Sequence, residues 1–548
     1  MMTEKTKRKF NILAIVVIII ICATTAPIGL QNDTFYTVKI GEHIIENGGI
    51  DMQDPFSWHE GLNYTYPHWL YDVMMYLIYN IGGWNGIYIS TIVFSCILGI
   101  AVYLTNTKIC KNNLISFILT LGVMFLCKPY IAARAQLVTF ILFVFTIYFI
   151  EKFLESRKVK HAIALILISI LIANLHVAVW PFYFILYLPY IAEYVICAVI
   201  DADIFLRIKI LWYKLLSKIF NKNTEKQDNY LEAIKQTEEK IEKICKIRNK
   251  KRKEPYKLRI EKNKNIKYLI LVFLICILTG LCTPIGKVPY TYLIDTMNGI
   301  TTQNINEHLP LTLINAKEFL CIIIAIIGLL MFTDIKIRLK DLLFLGGLII
   351  LALMSRRQIS MFLLIGIYAV NRIICEFLSK YNAKEEVENI TEFITTKTGV
   401  CFIIAIFVLI GVKNIKPKIE ANEQYISEST YPVKACEYIL NNIDLEKAKF
   451  YNEYNYGSYM LYKGIPVFID SRADLYTPEF NEGVHVFEDF LNIANIGTYY
   501  EDKIEEYGIT HLIMYKNAKL NMFVSRNSNY NKLYEDDSFV IYERIINE

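Results

Sequence analysis

Long runs without a single charge dominate this chain. Asn11 to Leu30 contains no charged side chain, and about 20 such residues in a helix cross a hydrocarbon core of roughly 30 Å. Comparable blocks recur as far as Val412. A water-soluble helix would need polar residues interleaved to hold a solvated face, so the pattern excludes a soluble core over this stretch. Composition agrees, with 54% apolar residues and a positive mean hydropathy. The expected class is a polytopic α-helical membrane protein.

The predicted spans are Asn11–Leu30, Gly86–Leu104, Leu114–Cys127, Leu137–Ile150, Ala162–Leu175, Ala178–Ile200, Tyr268–Thr283, Phe319–Phe332, Leu342–Met354, Ile359–Ile374 and Val400–Val412. That is about eleven, several of them short enough to require burial inside a bundle. The first block loosely fits a cleavable signal at Ala23–Ala26. Its length and the spans after it favour an uncleaved anchor.

Charge bias tests the list independently. With the basic start (Lys5, Lys7, Arg8, Lys9) in the cytoplasm, alternate loops fall on the same side. These are Thr105–Asn113, Glu151–His161, Asp201–Lys267, Thr333–Asp341 and Leu378–Gly399, each rich in Lys or Arg. The net charge of +5 therefore follows topology and gives no reason to expect a nucleic-acid partner. The twelve cysteines are scattered, without zinc or C-x-x-C spacing, and read as small apolar residues.

Two polar regions interrupt the pattern. Residues 201–267 form a cytoplasmic Lys/Glu-rich insert. Leu231, Ile234, Ile241 and Ile244 stand at helical spacing there, as in a solvated hairpin beside anionic lipid. Residues 416–548 follow the last span, and with an odd number of spans they lie outside, after a membrane domain over 1–415. Helices are predicted near Cys436–Asn441 and Asn481–Tyr499, and strands over Pro466–Asp470, Thr510–Met514 and Ser538–Tyr542. The expected C-terminal unit is an extracytoplasmic α/β domain.

The chemically active side chains gather on the outer side. The first outer loop, 31–85, carries Asp33, His68 and Asp72. Its segment His68–Ile81 has Leu70, Met74, Leu77 and Ile81 on one stripe, as an interfacial helix would. Arg134 follows the third span, Asn174 and His176 end the fifth, Glu307 follows the seventh, and Arg356 and Arg357 join the ninth and tenth. Ionisable groups at membrane height are costly and face a cavity or one another. Guanidinium groups suit a leaving phosphate, and a carboxylate suits general-base work. In the tail, Asp470, Arg472 and Asp474 lack the following Gly and Glu of a calcium loop, and read as a network holding the tail to the membrane half. No glycine-rich phosphate loop opens a helix, so no nucleotide-sugar site is expected.

The order of short motifs resembles the GT-C membrane glycosyltransferases. These motifs are Asp54–Ser57, His68–Asp72, Arg134–Gln136, Asn174–His176, Thr283–Gly286, Glu307, Arg356–Arg357, Tyr456–Met460 and Pro466–Tyr476. The resemblance covers nearly all of the chain outside the insert. It implies transfer of a sugar from a polyprenyl-phosphate-linked donor, in the cell membrane, to a glycan, lipid or protein acceptor outside the cytoplasm. It assigns Asp33 as general base, with Glu307 as a second catalytic carboxylate. Arg356, Arg357 and Arg134 become donor-phosphate contacts, and His68, Asp72, Asn174 and His176 acceptor or cavity residues. Asn32 and Thr34 flank Asp33 where many relatives pair two acids, so no metal ligand follows and a divalent cation stays open. Asp33 as a cap of a helix starting near Thr34, a transporter of lipid-linked glycan, and an inactive scaffold are the competing expectations.

Overall fold

The computed structural model describes residues 3–201, 203–220, 224–251, 257–261, 263–312, 314, 316–497 and 499–545. The chain starts with α1 (Glu4–Thr25), which Thr3 caps by accepting from the N–H of Thr6. Then α2 (Asn32–Asn47) lies in the first outer loop, and Gly48 ends it in the left-handed region at φ 68°. Helix α3 (Trp69–Cys110) is two helices in one. Gly83, at φ 56° and ψ −149°, breaks it between the amphipathic segment read from sequence and the apolar stretch that follows. Only glycine adopts that backbone cheaply.

The bundle continues with α4 (Asn113–Leu126), α5 (Ala135–Ser156), α6 (Val159–Leu175), α7 (Trp180–Ile185) and α8 (Leu188–Asp201). A hairpin of α9 (Ile204–Ile219) and α10 (Thr224–Lys251) fills the insert. After a two-residue strand β1 (Leu258–Arg259) come α11 (Ile266–Leu278), α12 (Val288–Asn298), α13 (Thr301–Asn304) and α14 (Lys317–Phe332). Strand β2 (Ile337–Arg338) pairs with β1 and leads into α15 (Leu339–Met354), α16 (Ile359–Lys380), α17 (Lys384–Ile394) and α18 (Lys397–Glu420). Among the described residues, six helical stretches are long and apolar enough to cross a membrane. They begin at Glu4, Trp69, Ala135, Val177, Arg356 and Lys397, and three shorter apolar helices accompany them.

At one end of the bundle, side chains from the Lys/Arg-rich loops meet Glu193 and Arg372, which lie on α8 and α16 inside the predicted spans. Lys340 and Arg372 both pair with Glu151 (2.6 and 3.3 Å), Arg372 with Asp341, and Arg338 with Glu193 and Glu261. Loops of the other set converge on a cavity at the opposite end.

The C-terminal part holds α19 (Val433–Asn442), β3 (Phe450–Tyr451), α20 (Tyr454–Tyr462), α21 (Val486–Ala494), β4 (His511–Tyr515), β5 (Tyr530–Glu535) and β6 (Phe539–Arg544). The strands order as β3-β4-β6-β5, with β3 parallel to β4 and the remaining pairs antiparallel. Leu512 stands opposite Tyr542 and Ile513 opposite Ile541; the two pairs lie on opposite faces of the sheet, and all four side chains are buried. Two sequence expectations fail here. Pro466–Asp470 is not a ladder strand: Val467 makes a single bridge to Ser57 of the first outer loop, so its apolar run is buried against that loop instead of a sheet. The helix expected over 481–499 is confined to Val486–Ala494.

One hydrophobic cluster unites the tail with the first outer loop. Phe35, Tyr66 and Ile285 share it with Tyr456, Phe468 and Ile513. The Phe35 ring makes edge contacts with Trp84, Tyr431 and Tyr459 at 4.9–5.4 Å. A Cβ on Gly41 would come 2.2 Å from the Asp72 carbonyl, so α2 lies directly against α3 and is pinned from the other side by the tail.

Candidate active site

The cavity lies between the tail and the helix ends and loops that meet it, with a volume of about 540 Å³. Short backbone ties bring its walls together. The N–H groups of Arg356 and Arg357 donate to the carbonyls of Leu309 and Glu307, and that of Val177 to Pro67. Loop 305–309 is thereby zipped to loop 355–357, and the loop after His176 to the one before His68.

Arg134 stands at the start of α5 in extended conformation. Its Nε lies 2.9 Å from Asp33 Oδ2, and its Nη1 donates to both Glu307 oxygens at 3.1 and 3.2 Å. Two of the predicted acids are thus held by one predicted guanidinium. Asp33 sits in the first turn of α2, which starts at Asn32 with Gln31 at the cap position, so the reading of Asp33 as a cap is replaced by this ion pair. Among the described residues its Oδ1 has no partner.

Arg357 also lines the cavity, and its guanidinium has no ion pair or side-chain hydrogen bond among the described residues. Burial works against ionisation of Glu307, yet Arg134 and Arg357 hold it below the ordinary carboxylate value. Burial likewise works against the charge of Arg134, but Asp33 and Glu307 outweigh it and hold the guanidinium above its ordinary value. The neighbouring histidines are kept neutral. Burial, then Arg357 and Arg134, push His68 down to about 3, and burial with Arg357 pushes His308 down to about 4. His176 is lowered by burial and the same cations; its ring lies 4.8 Å from that of His68, and its Nδ1 is 3.1 Å from the Thr139 hydroxyl.

Three predicted residues stand away from the cavity wall. Arg356 is not among the lining residues: its carbonyl accepts from Tyr130, its N–H donates to Leu309, and its buried Nε has no hydrogen-bond partner among the described residues. Asn174 accepts from Trp69 Nε1 at 3.1 Å and donates to Ile170 and Cys282, so its amide joins helices. Asp72 is fully buried behind the wall, against α2. Its link to His68 is a backbone bond, not one between side chains.

The tail supplies a roof that sequence reading missed in part. Tyr454, Phe480, Phe487 and Asp474 face the cavity with Tyr36, Tyr64 and Tyr292 below. With 38 tyrosines in the chain, no single one stood out. Asp474 accepts from Tyr292 at 2.5 Å and from Thr296 and Thr301, tying the roof to α12 and α13. Arg472 pairs with Asp54 and Asp470, both at 2.7 Å, with all three side chains buried. The donor set does not suit a divalent ion. Asp33 and Glu307 are both engaged by Arg134, and no cluster of three His, Cys, Asp or Glu able to hold one occurs among the described residues.

A helical bundle, a loop holding a helix against it and a C-terminal roof over a polar cavity make up the fold. Two solved structures of Archaeoglobus fulgidus oligosaccharyltransferase share it. The one tethered to an acceptor peptide containing the NVT sequon aligns with TM-score 0.52 at 12% identity, over 99% of this chain and 75% of that one. The apo form aligns with TM-score 0.53 at 12% identity, over 94% and 70%. No protein-family profile and no curated protein matches the chain.

Proposed function

We propose that this protein is a membrane glycosyltransferase that moves a sugar from a polyprenyl-phosphate-linked donor to an acceptor on the extracytoplasmic side. The observation that carries the reading is Arg357, a cation without a protein partner among the described residues, on the wall of a cavity that also holds two paired acids. Arg357 is half-buried, and an unpaired charge partly withdrawn from water is costly unless a ligand completes it. A donor phosphate does so with paired hydrogen bonds.

The chemistry follows from these positions. Asp33 Oδ1 takes the proton of the acceptor hydroxyl, while Oδ2 is oriented by Arg134. The acceptor oxygen bonds to the anomeric carbon as the carbon–oxygen bond to phosphate breaks. The leaving polyprenyl phosphate gains negative charge beside Arg357, with Arg134 next to it. Neutral His68 and His308 remain hydrogen-bonding groups that do not add to the positive field. The acceptor, a glycan, lipid or protein, enters beneath the aromatic roof. The Archaeoglobus fulgidus enzyme was captured with an acceptor peptide, which supports an acceptor site in this fold. The membrane domain would hold its N-terminus in the cytoplasm and its tail outside.

The test is turnover. Protein reconstituted with a labelled polyprenyl-phosphate sugar should release polyprenyl phosphate only when an acceptor is present, and Asp33→Asn should abolish release. Movement of intact labelled lipid between leaflets without release would establish a transporter instead. If a broad donor panel is inert and Asp33→Asn leaves the cellular phenotype intact, the protein is a scaffold.

A further inference from the structure

The hairpin of the insert presents two unlike helices. Helix α9 packs on α10, with Ile210 and Ser217 buried and the Tyr213 ring 6.1 Å from that of Tyr230. Its opposite face is bare. Phe205, Ile208, Leu211, Trp212, Leu215 and Ile219 are 51–82% exposed. At about 100° per residue these six fall within an arc of roughly 120°. Arg207, Lys214 and Lys218 border that arc on one side and Lys209 on the other. Helix α10 is the reverse case, a Lys/Glu-rich helix whose Ile234 is buried.

We infer that α9 lies in the surface of the bilayer, its bare face among acyl chains and its basic borders on anionic lipid headgroups, with α10 covering it from the water side. Three observations choose the bilayer over a protein partner. The helix follows directly on α8, whose exposed Val195, Ile196 and Ile200 make the apolar surface continuous up to the hairpin. Four basic residues within its 16 prevent it from crossing, while its basic borders complement an anionic surface. The chain returns from the hairpin to the same end of the bundle, where β1 pairs with β2 and Glu261 with Arg338. Both ends of the hairpin are therefore tethered to that end of the bundle. This places the lipid contact on α9, not on the α10 stripe that sequence periodicity singles out.

Trp212 reports the contact. Full-length protein and its Trp212→Phe variant are reconstituted in phosphatidylcholine brominated near the headgroup, with and without phosphatidylglycerol. The Trp212 contribution, taken as the difference between the two proteins, should be quenched at least about twofold by the brominated lipid and little by aqueous acrylamide. Lys209→Gln with Lys214→Gln and Lys218→Gln should erase the extra quenching seen with phosphatidylglycerol, through loss of headgroup attraction. Quenching by acrylamide alone overturns the inference. Shielding from both quenchers overturns it in favour of a protein partner, and equal quenching with and without phosphatidylglycerol overturns the anionic contact.

Discussion

Arg356 and Arg357 are adjacent, alike in sequence and unlike in use. The backbone of Arg356 is tied to Tyr130 and Leu309, while the guanidinium of Arg357 faces the cavity. Loss of a charge-assisted contact to a leaving phosphate costs about 2–4 kcal/mol, or roughly 30- to 1,000-fold in rate. Arg357→Gln should therefore lower transfer by about that factor, and Arg356→Gln by only a few-fold. The measurement is initial rate against donor concentration for both variants at matched fold stability. Equal losses would mean that the cation density of the loop matters, not the position of one guanidinium.

At the scale of the element, the sequence was informative where a helix is long or a loop is charged. The blocks beginning at Asn11 and Leu137 became α1 and α5, because uniform apolarity over that length has no competing solution. Short elements of the tail were less legible. Pro466–Asp470 has the composition of a strand, and only the partner decides whether such a run joins a sheet. The site shows the same limit. Asp33, Arg134, Glu307, Arg357, His68 and His176 come to one cavity, but that Arg134 holds both acids depends on loop geometry that no spacing encodes. Helix α20 carries a further consequence of burial. Glu453 precedes it, beside the roof residue Tyr454, and burial raises its carboxyl to about 7 although the N–H of Tyr515 donates to it. A carboxyl with a raised folded-state value binds more protons folded than unfolded. Stability from this group is therefore full near and below the ordinary value of about 4.5 and falls as pH rises to 7. The loss is on the order of 3 kcal/mol above that pH. Glu453→Gln keeps an acceptor for Tyr515 and removes the charge. It should raise the Tm at pH 8 and leave it nearly unchanged at pH 5, in thermal unfolding of the detergent-solubilised protein.

The whole molecule works as a cavity closed from two sides, and its roof is not a separate bead on a string. Tail and first outer loop share a core, and Arg472 of the tail reaches Asp54 of the loop inside it. Arg472→Ala would leave two buried carboxylates without their cation, a cost of about 3–5 kcal/mol. The expected outcome is a tail that limited proteolysis cleaves at a concentration harmless to the parent protein, while the membrane helices stay intact. Orientation is the remaining property of this scale, since a lipid-linked donor is met on whichever side the cavity opens. The basic loops and the ion pairs around Glu151 mark one end, and Asp33, Arg134 and the tail mark the other. Asp470, a natural place to put a label by sequence, is fully buried, whereas Met522 is 60% exposed. Met522→Cys should react with a membrane-impermeant maleimide on intact cells, above the background of the native cysteines. Lys246→Cys, on the exposed face of α10, should react only after lysis. The opposite pattern would place the cavity on the cytoplasmic side, where the acceptor and the headgroup of the donor would then have to be sought.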